Sequence, residues 1–466
     1  MEGLIMTAQL LLGLTILVGL HEFGHFAAAR IFGVRVNKFY IFFDFLFPLP
    51  NVLNFALWKT KKGDTEFGLG WFPMGGYVDI EGMIDETKDA SQLATEPQPY
   101  EFRSKPAWQR LIIMLGGIIV NVILGVLIYI GVTNYYGESK TPITEINNQG
   151  IVAYDIAEKM GLKTGDKVVA VNGKEVRFFE DFLGEELLLG ENTQLTVMRD
   201  GKKLSIPVPR ELIDWLSVAK REGKGNYFLG VFDEFEIGSV LQEVEQGWFS
   251  TLVKGKIDSI PPAAKAGLTA GDKIVGINGK SIAYYHEYLN AAEENKGKNV
   301  LMAIQREGKA DTLEVGIGAD GKTGFFAKTL TVRQDTTVYF SFGESIVKGT
   351  QDAFAVVTNN IKAFGKIFRG DVAFSNAVSG PVGIAKMFGG YWDWGRFWKL
   401  TGMLSMVLAF MNLLPIPALD GGHAVLLVYE MISGRKPSEK FVERTQQLGM
   451  LIILVLMVFV FYNDLR

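Results

Sequence analysis

His21, Glu22 and His25 make an H-E-x-x-H group inside an apolar run that extends from Leu4 to Ala29. Ionisable side chains in the middle of such a run cost roughly 2.5–3.5 kcal/mol each to insert into lipid, so their default reading is functional. On a helix, residues four apart share a face. That spacing aims the two imidazoles at one point and suits two ligands of a Zn2+ ion. Glu22 points off this axis but can reach a water on the metal, where it would act as a general base. The chemistry this implies is metal-assisted hydrolysis of a peptide bond. The other reading is a pair of histidines bonded to backbone within a helix bundle, which the apolar context disfavours. The chain holds only four histidines, the remaining two being His286 and His423.

Two imidazoles leave such a site short, because a catalytic zinc usually takes three protein ligands and keeps one position open. There are no cysteines, which excludes thiolate ligands, disulfides and a cysteine nucleophile. The candidate third ligand is Asp420, in Asn412-Leu413-Leu414-Pro415-Ile416-Pro417-Ala418-Leu419-Asp420-Gly421-Gly422. Pro415 and Pro417 prevent regular helix there, so a carboxylate can turn inward, and Gly421-Gly422 permits close approach. Taken alone, Asp-Gly-Gly reads as a cap and turn; beside H-E-x-x-H the ligand reading is preferred. His423 is a competing ligand of lower rank. Asn412 and Asn121 are each open to reading as inter-helix polar contacts, and Asn412 equally as a group that touches substrate.

Positioning these residues calls for membrane helices. The chain has 466 residues, of which 48% are hydrophobic and 21% charged, with a mean hydropathy of +0.17. That mixture points to membrane spans joined to water-soluble modules. The net charge of −4 gives no broad basic surface for nucleic acid. Four segments are long enough to cross a bilayer, which takes about 20 apolar residues: Leu4 to Ala29, Leu111 to Val132, Leu400 to Leu419 and about Thr445 to Tyr462. The first is read as a span and not a cleaved signal peptide, since no basic residue precedes it and the run is long.

Basic residues set the orientation. Arg30, Arg35, Lys38, Lys59, Lys61 and Lys62 follow the first span, Arg103, Lys105 and Arg110 precede the second, and Arg435, Lys436, Lys440 and Arg444 lie between the last two. Those segments are expected in the cytoplasm, and the stretch from about 135 to 395 on the far side. His21, His25 and Asp420 then fall at the same cytoplasmic depth.

The long far-side stretch contains a duplication. Gly161-Leu162-Lys163-Thr164-Gly165-Asp166-Lys167-Val168 with Val171-Asn172-Gly173-Lys174 returns 106 residues later as Gly267-Leu268-Thr269-Ala270-Gly271-Asp272-Lys273-Ile274 with Ile277-Asn278-Gly279-Lys280. A period this long means duplicated domains. Both copies resemble bacterial PDZ domains, which bind extended peptides by strand addition; the other reading is a pair of spacers that filter what reaches the membrane. Only the second copy has the Pro262-Ala263 pair; the first reads Asp155-Ile156-Ala157. Ile346 to Phe368 is expected to be an amphipathic helix, resting on the bilayer or packed against the second copy. Gly63 to Val78, rich in glycine and aromatics, is expected to form a hairpin.

These motifs together resemble the site-2 protease family of intramembrane zinc metalloproteases, and its bacterial regulator-of-sigma-E branch with tandem PDZ domains. The resemblance rests on the H-E-F-G-H group of the first span, N-x-x-P-x-P-x-L-D-G from Asn412 to Gly421, G-W-x-P-x-G-G-Y-V from Gly70 to Val78, and Gly380-Pro381-Val382-Gly383-Ile384. It implies zinc ligands His21, His25 and Asp420, with Glu22 as general acid and base. It also implies that Asn412 holds substrate backbone, and that the glycine-rich segment, through Gly68, Gly70, Gly75 and Gly76, pairs with an unwound substrate helix. The implied partners are single-span membrane proteins, such as anti-sigma factors after ectodomain trimming, remnant signal peptides, the lipid bilayer and peptide ligands of the PDZ domains. The implied location is the bacterial inner membrane, with periplasmic PDZ domains. The segment from Phe43 to Ala56 departs from the family pattern.

The expected fold is an α-helical polytopic membrane protein: four transmembrane helices, a membrane-associated β-hairpin or sheet and two extracytoplasmic α+β PDZ domains. The expected order is a first transmembrane helix at 1–32, a β region at 33–107, a second helix at 108–136, PDZ domains at 137–212 and 213–325, an amphipathic segment at 326–395, a third helix at 396–422, a cytoplasmic loop at 423–444 and a fourth helix at 445–466. Rival readings are a catalytically silent membrane PDZ scaffold, which would have no use for Glu22, and a membrane zincin whose third ligand is a later Glu.

Overall fold

The computed structural model describes residues 2–46, 52–73, 75–83, 96–221, 227–241 and 260–465; part of the departing segment, 47–51, lies outside them. The chain forms two compact units. One comprises the residues up to Glu138 and from Val338 onward, and the other is Ser139–Thr337.

In the first unit the helices are α1 (Glu2–Ile31), α2 (Ala107–Tyr136), α3 (Phe342–Arg369), α4 (Pro381–Phe388), α5 (Trp394–Leu413), α6 (Asp420–Ser433) and α7 (Glu439–Leu465). Three of them, α1, α2 and α7, are long and apolar enough to cross a membrane. The segment expected as the third span forms α5, but Arg396 and Lys399 in its first turns dilute its hydropathy, and it stops at Leu413 ahead of Pro415 and Pro417. The expected loop at 423–444 is largely helix, because α6 runs to Ser433 with Ala424 and Leu427 buried one turn apart.

α2 is the hub and packs against α1, α3, α5 and α6. α3 starts at a capping box, in which the Ser341 hydroxyl accepts from the Glu344 amide and the Glu344 carboxylate accepts from the Ser341 amide. It ends at Gly370, whose φ of +80° suits glycine. Its buried positions are Ser345, Gly349, Ala353 and Lys366, and Gly349 lies on the Ile130 backbone of α2. Phe342, Val347, Ile361 and Phe368 point outward, whereas Val356 and Val357 pack against Tyr129, Ala353 and Met406.

The glycine-rich region forms more than a hairpin. Strands β1 (Val36–Ile41), β2 (Ala56–Lys62), β3 (Thr65–Gly70) and β4 (Tyr77–Ile80) make one sheet in the order β2-β3-β1-β4. β2 and β3 form the hairpin; β1 then pairs parallel to β3 and antiparallel to β4. Val36, Val78 and Ile80 pack with Ala28 and Ala29 of α1 and Ile113 of α2, which fastens the sheet beside H-E-x-x-H.

The second unit holds two modules of one design. Strands Lys202–Pro207, Gln194–Arg199, Lys167–Val171 and Lys174–Glu175 lie side by side in the first, and Lys309–Gly316, Asn299–Arg306, Lys273–Ile277 and Lys280–Ser281 follow the same order in the second. The Asp of each Gly-Asp pair is almost fully buried and ion-paired, Asp166 with Arg199 and Asp272 with Arg306. Each Arg also donates to the carbonyl of the preceding Gly-Leu turn, Gly161 or Gly267, so one carboxylate ties a sheet strand to the loop before it. The first module does not stop at 212. Leu229–Val231 pairs with Ile151–Ala153, and Leu212, Ala219 and Phe228 join its core. Phe325–Thr329 closes the second module in the same way, on Phe235–Val240.

Candidate metal centre

α1 carries H-E-x-x-H where it crosses α2, and glycines make the crossing close. A Cβ on Gly24 would stand 2.2 Å from the Gly116 carbonyl oxygen, and one on Gly117 would stand 2.5 Å from both the His21 and His25 rings. Such distances are far inside contact, so the imidazoles occupy space that only glycine leaves free.

His25 is buried, and its Nδ1 lies 2.8 Å from the Ile113 carbonyl oxygen of α2. A carbonyl only accepts, so Nδ1 carries a proton and, in the neutral ring, Nε2 is bare. His21 turns its Nδ1 to the Asn121 side chain at 3.2 Å, also on α2.

Asp420 arrives from the far end of the chain. After α5, residues Leu414 to Leu419 are unwound, and Ala418 takes a φ of +71°. Holding an alanine in the left-handed region costs roughly 1–2 kcal/mol, and strain of this kind clusters at functional sites. Helix resumes at Asp420 itself, so this residue opens α6 and does not close α5. Gly421 and Gly422 press against the Leu414 and Ile416 carbonyls, and Gly449 of α7 against that of Pro417. Asp420 Oδ2 lies 3.3 Å from His21 Nε2 and 3.4 Å from His25 Nε2, and the two Nε2 atoms are 3.2 Å apart.

These three residues form a group that could hold a metal ion. Tetrahedral bonds of 2.0–2.1 Å place neighbouring ligand atoms roughly 3.3–3.4 Å apart, which matches the three separations. Asp420 Oδ2 is buried and makes no hydrogen bond among the described residues, a costly state for a carboxylate oxygen that a cation relieves. The donor set, two imidazoles and a carboxylate, suits zinc.

The other candidate residues divide. Glu22 is half-buried and adjoins Gly76, whose Cβ position lies 3.2 Å from Glu22 Cγ. Asn412 Nδ2 lies 3.3 Å from His21 Nε2, which puts the Asn412 amide at the centre. His423 is outside the group; its Nε2 meets the Gln446 side chain of α7. Gly68 sits in the interior of β3, paired with Lys59 of β2 on one side and Tyr40 of β1 on the other, and Gly70 ends β3 opposite Ala56 of β2. Gly68 therefore offers no free edge for pairing. The two glycines make room for the Tyr40 ring and the Phe43 backbone. Gly75 precedes edge strand β4 and faces the Phe43 ring. Ile113 and Gly117 were not found from sequence: a backbone carbonyl leaves no residue signal, and one glycine within Gly116-Gly117 reads as ordinary helix packing.

A family model of peptidase family M50 matches residues 9–456. The chain belongs to that family and is an intramembrane zinc metalloprotease. It is similar to the regulator of sigma-E protease RseP of Escherichia coli K12, at 29% identity over 98% of this chain and 97% of that one. A Neisseria meningitidis serogroup A protein carrying a zinc metalloprotease name is also 29% identical, over 96% of each chain. The regulator of sigma E protease of Haemophilus influenzae is 27% identical over 97% of each. A peptidase family that spans nearly the whole chain disfavours the silent scaffold.

Proposed function

We propose that His21, His25 and Asp420 hold zinc and that Glu22 is the general acid and base of peptide hydrolysis within the membrane. The observation that carries this is the triangle of donor atoms, 3.2–3.4 Å on a side, with an orphaned carboxylate oxygen at one corner. When bound, zinc supplies a Lewis acid that polarises the scissile carbonyl and acidifies water to near neutrality. The Glu22 carboxylate takes the proton of the attacking water and delivers it to the amide nitrogen of the leaving strand. The Asn412 side chain holds substrate backbone next to His21. A substrate helix must unwind before attack, and a pairing edge offsets its lost hydrogen bonds. Edge strand β4, with Gly75 and Gly76 leading into it beside Glu22, is our candidate for that edge.

In this reading the chain has four transmembrane helices, α5 being the third, and lies in a bacterial inner membrane with the metal near the cytoplasmic face. The two modules of the second unit are PDZ domains on the periplasmic side. They hinder substrates with bulky ectodomains or bind peptides. The substrates are single-span proteins, anti-sigma factors and remnant signal peptides among them, consistent with relatives named as regulators of sigma-E. The test is zinc content and cleavage of a single-span substrate by wild type and Glu22→Gln. Zinc in both with turnover only in wild type is expected; equal cleavage by both rejects the role of Glu22.

A further inference from the structure

Asn121 of α2 is fully buried among apolar helices, and in its present orientation its Oδ1 has no hydrogen-bond partner among the described residues. Its Nδ2 lies 3.2 Å from His21 Nδ1. Two constraints bear on which amide atom belongs there. The neutral His25 ring is fixed with its proton on Nδ1 and Nε2 bare, by the Ile113 carbonyl. His21 presents its Nε2 to the same point, 3.2 Å from His25 Nε2 and 3.3 Å from Asp420 Oδ2. A neutral imidazole that offers Nε2 to a cation carries its one proton on Nδ1, which then needs an acceptor. The amide's O and N are alike in shape, and turning the group over puts Oδ1 against that proton. One rotation satisfies both the orphaned oxygen and the imidazole N–H.

We infer that Asn121 is a positioning residue for the reaction: its Oδ1 accepts from His21 Nδ1–H and so locks the tautomer and ring angle that leave Nε2 free for the metal. α2 then disciplines both imidazoles, His25 through a main-chain carbonyl and His21 through a side chain two turns further on. The Asn121 main chain is itself held, because Ser405 Oγ of α5 donates to its carbonyl at 2.8 Å. This inference rests on the metal-ligand reading of His21 and adds what keeps that ligand in its binding form. Outer partners of this kind are typically worth 10–100-fold in metal affinity.

The test uses the full chain in detergent, with the zinc dissociation constant measured by competition with a chromophoric chelator. Asn121→Leu keeps the volume and removes the acceptor, and is expected to weaken zinc binding about 10–100-fold. Asn121→Asp keeps an acceptor and is expected to restore binding. Ser405→Ala loosens the same helix contact without touching His21 and is expected to bind zinc as the wild type does. Unchanged affinity in Asn121→Leu, equal losses in the Leu and Asp variants, or an equal loss in Ser405→Ala each overturn the inference. With only four histidines in the chain, 15N-histidine labelling gives a separate readout on the zinc-free protein. The His21 Nδ1–H signal should be present in wild type and shifted or lost in Asn121→Leu, with that of His25 unmoved; a His21 protonated on Nε2 overturns the inference. If the wild type binds no zinc at all, the metal reading fails, and the imidazole spectrum still decides the tautomer on its own.

Discussion

Gly117→Ala tests the site at its tightest point. The added methyl would stand 2.5 Å from His21 Cε1, 2.5 Å from His25 Nε2 and 2.6 Å from His21 Nδ1. Ordinary carbon contacts begin at about 3.5 Å, so both rings must retreat by about 1 Å or the helices must part. Overpacking of this size costs about 1–3 kcal/mol in stability, which a membrane bundle can absorb. The site is less tolerant, since a misplacement of about 1 Å is worth roughly 10²-fold in rate, and the displaced atoms here include the metal-facing Nε2 of His25. The expected result is a folded protein with zinc affinity reduced at least tenfold and cleavage down by about 10²-fold. Gly131→Ala, on the same helix with nothing within 4 Å of its Cβ position, is the control and should match wild type. Zinc by mass spectrometry after gel filtration, with cleavage of a single-span substrate, reads both. A Gly117→Ala protein with full zinc and full turnover would show that the rings do not work where the structure holds them.

Three further outcomes are expected. Glu22→Gln should retain zinc and lose turnover by about 10²–10⁴-fold, the usual share of a general acid–base group; loss of zinc with turnover would instead make Glu22 a ligand. Chelation should abolish cleavage and lower the thermal midpoint, because an ion in the proposed site would join α1 to α6 and its binding energy would add to folding; an unchanged midpoint would argue against that bridge. In the second unit, burial alone would raise the Asp272 carboxyl, but the Arg306 guanidinium and the Thr269 amide outweigh it and hold the group below its usual value. That depressed value means the stabilisation is complete above the ordinary carboxylate range, near 3.9, and is lost as pH falls through the lower folded value. Segment 139–337 expressed alone should therefore unfold in acid below about pH 4, and Asp272→Asn should cost about 1–3 kcal/mol at pH 7 with a flatter acid limb; identical denaturation curves at pH 7 would remove Asp272 from the account.

What sequence revealed here depended on how local each signal was. His21, Glu22 and His25 announce themselves because polar groups stand out in an apolar run, and the i,i+4 spacing needs no tertiary knowledge. Asp420 was legible for a different reason: two prolines and two glycines around one carboxylate describe an unwound approach. That it begins a helix was not legible, since the turn depends on Gly449 of α7 pressing on Pro417. The glycine-rich segment shows the limit most sharply. Gly68 and Gly70 signal that something approaches closely, but not what, and the visitor is Tyr40 and Phe43 of the same sheet, brought there by a parallel β1–β3 pairing that no local pattern encodes. The first module's boundary at 212 failed likewise, because Leu229–Val231 completes it by pairing with a strand far upstream.

The separation of the donors along the chain has a consequence for biogenesis. A ribosome delivers α1 with its two imidazoles early, whereas Asp420 follows only after α5. Until then the half-built bundle holds two of the three proposed donors and lacks the carboxylate that would complete the centre. On the proposed reading the protease would thus stay inert through its own insertion, armed only once Asp420 has been made.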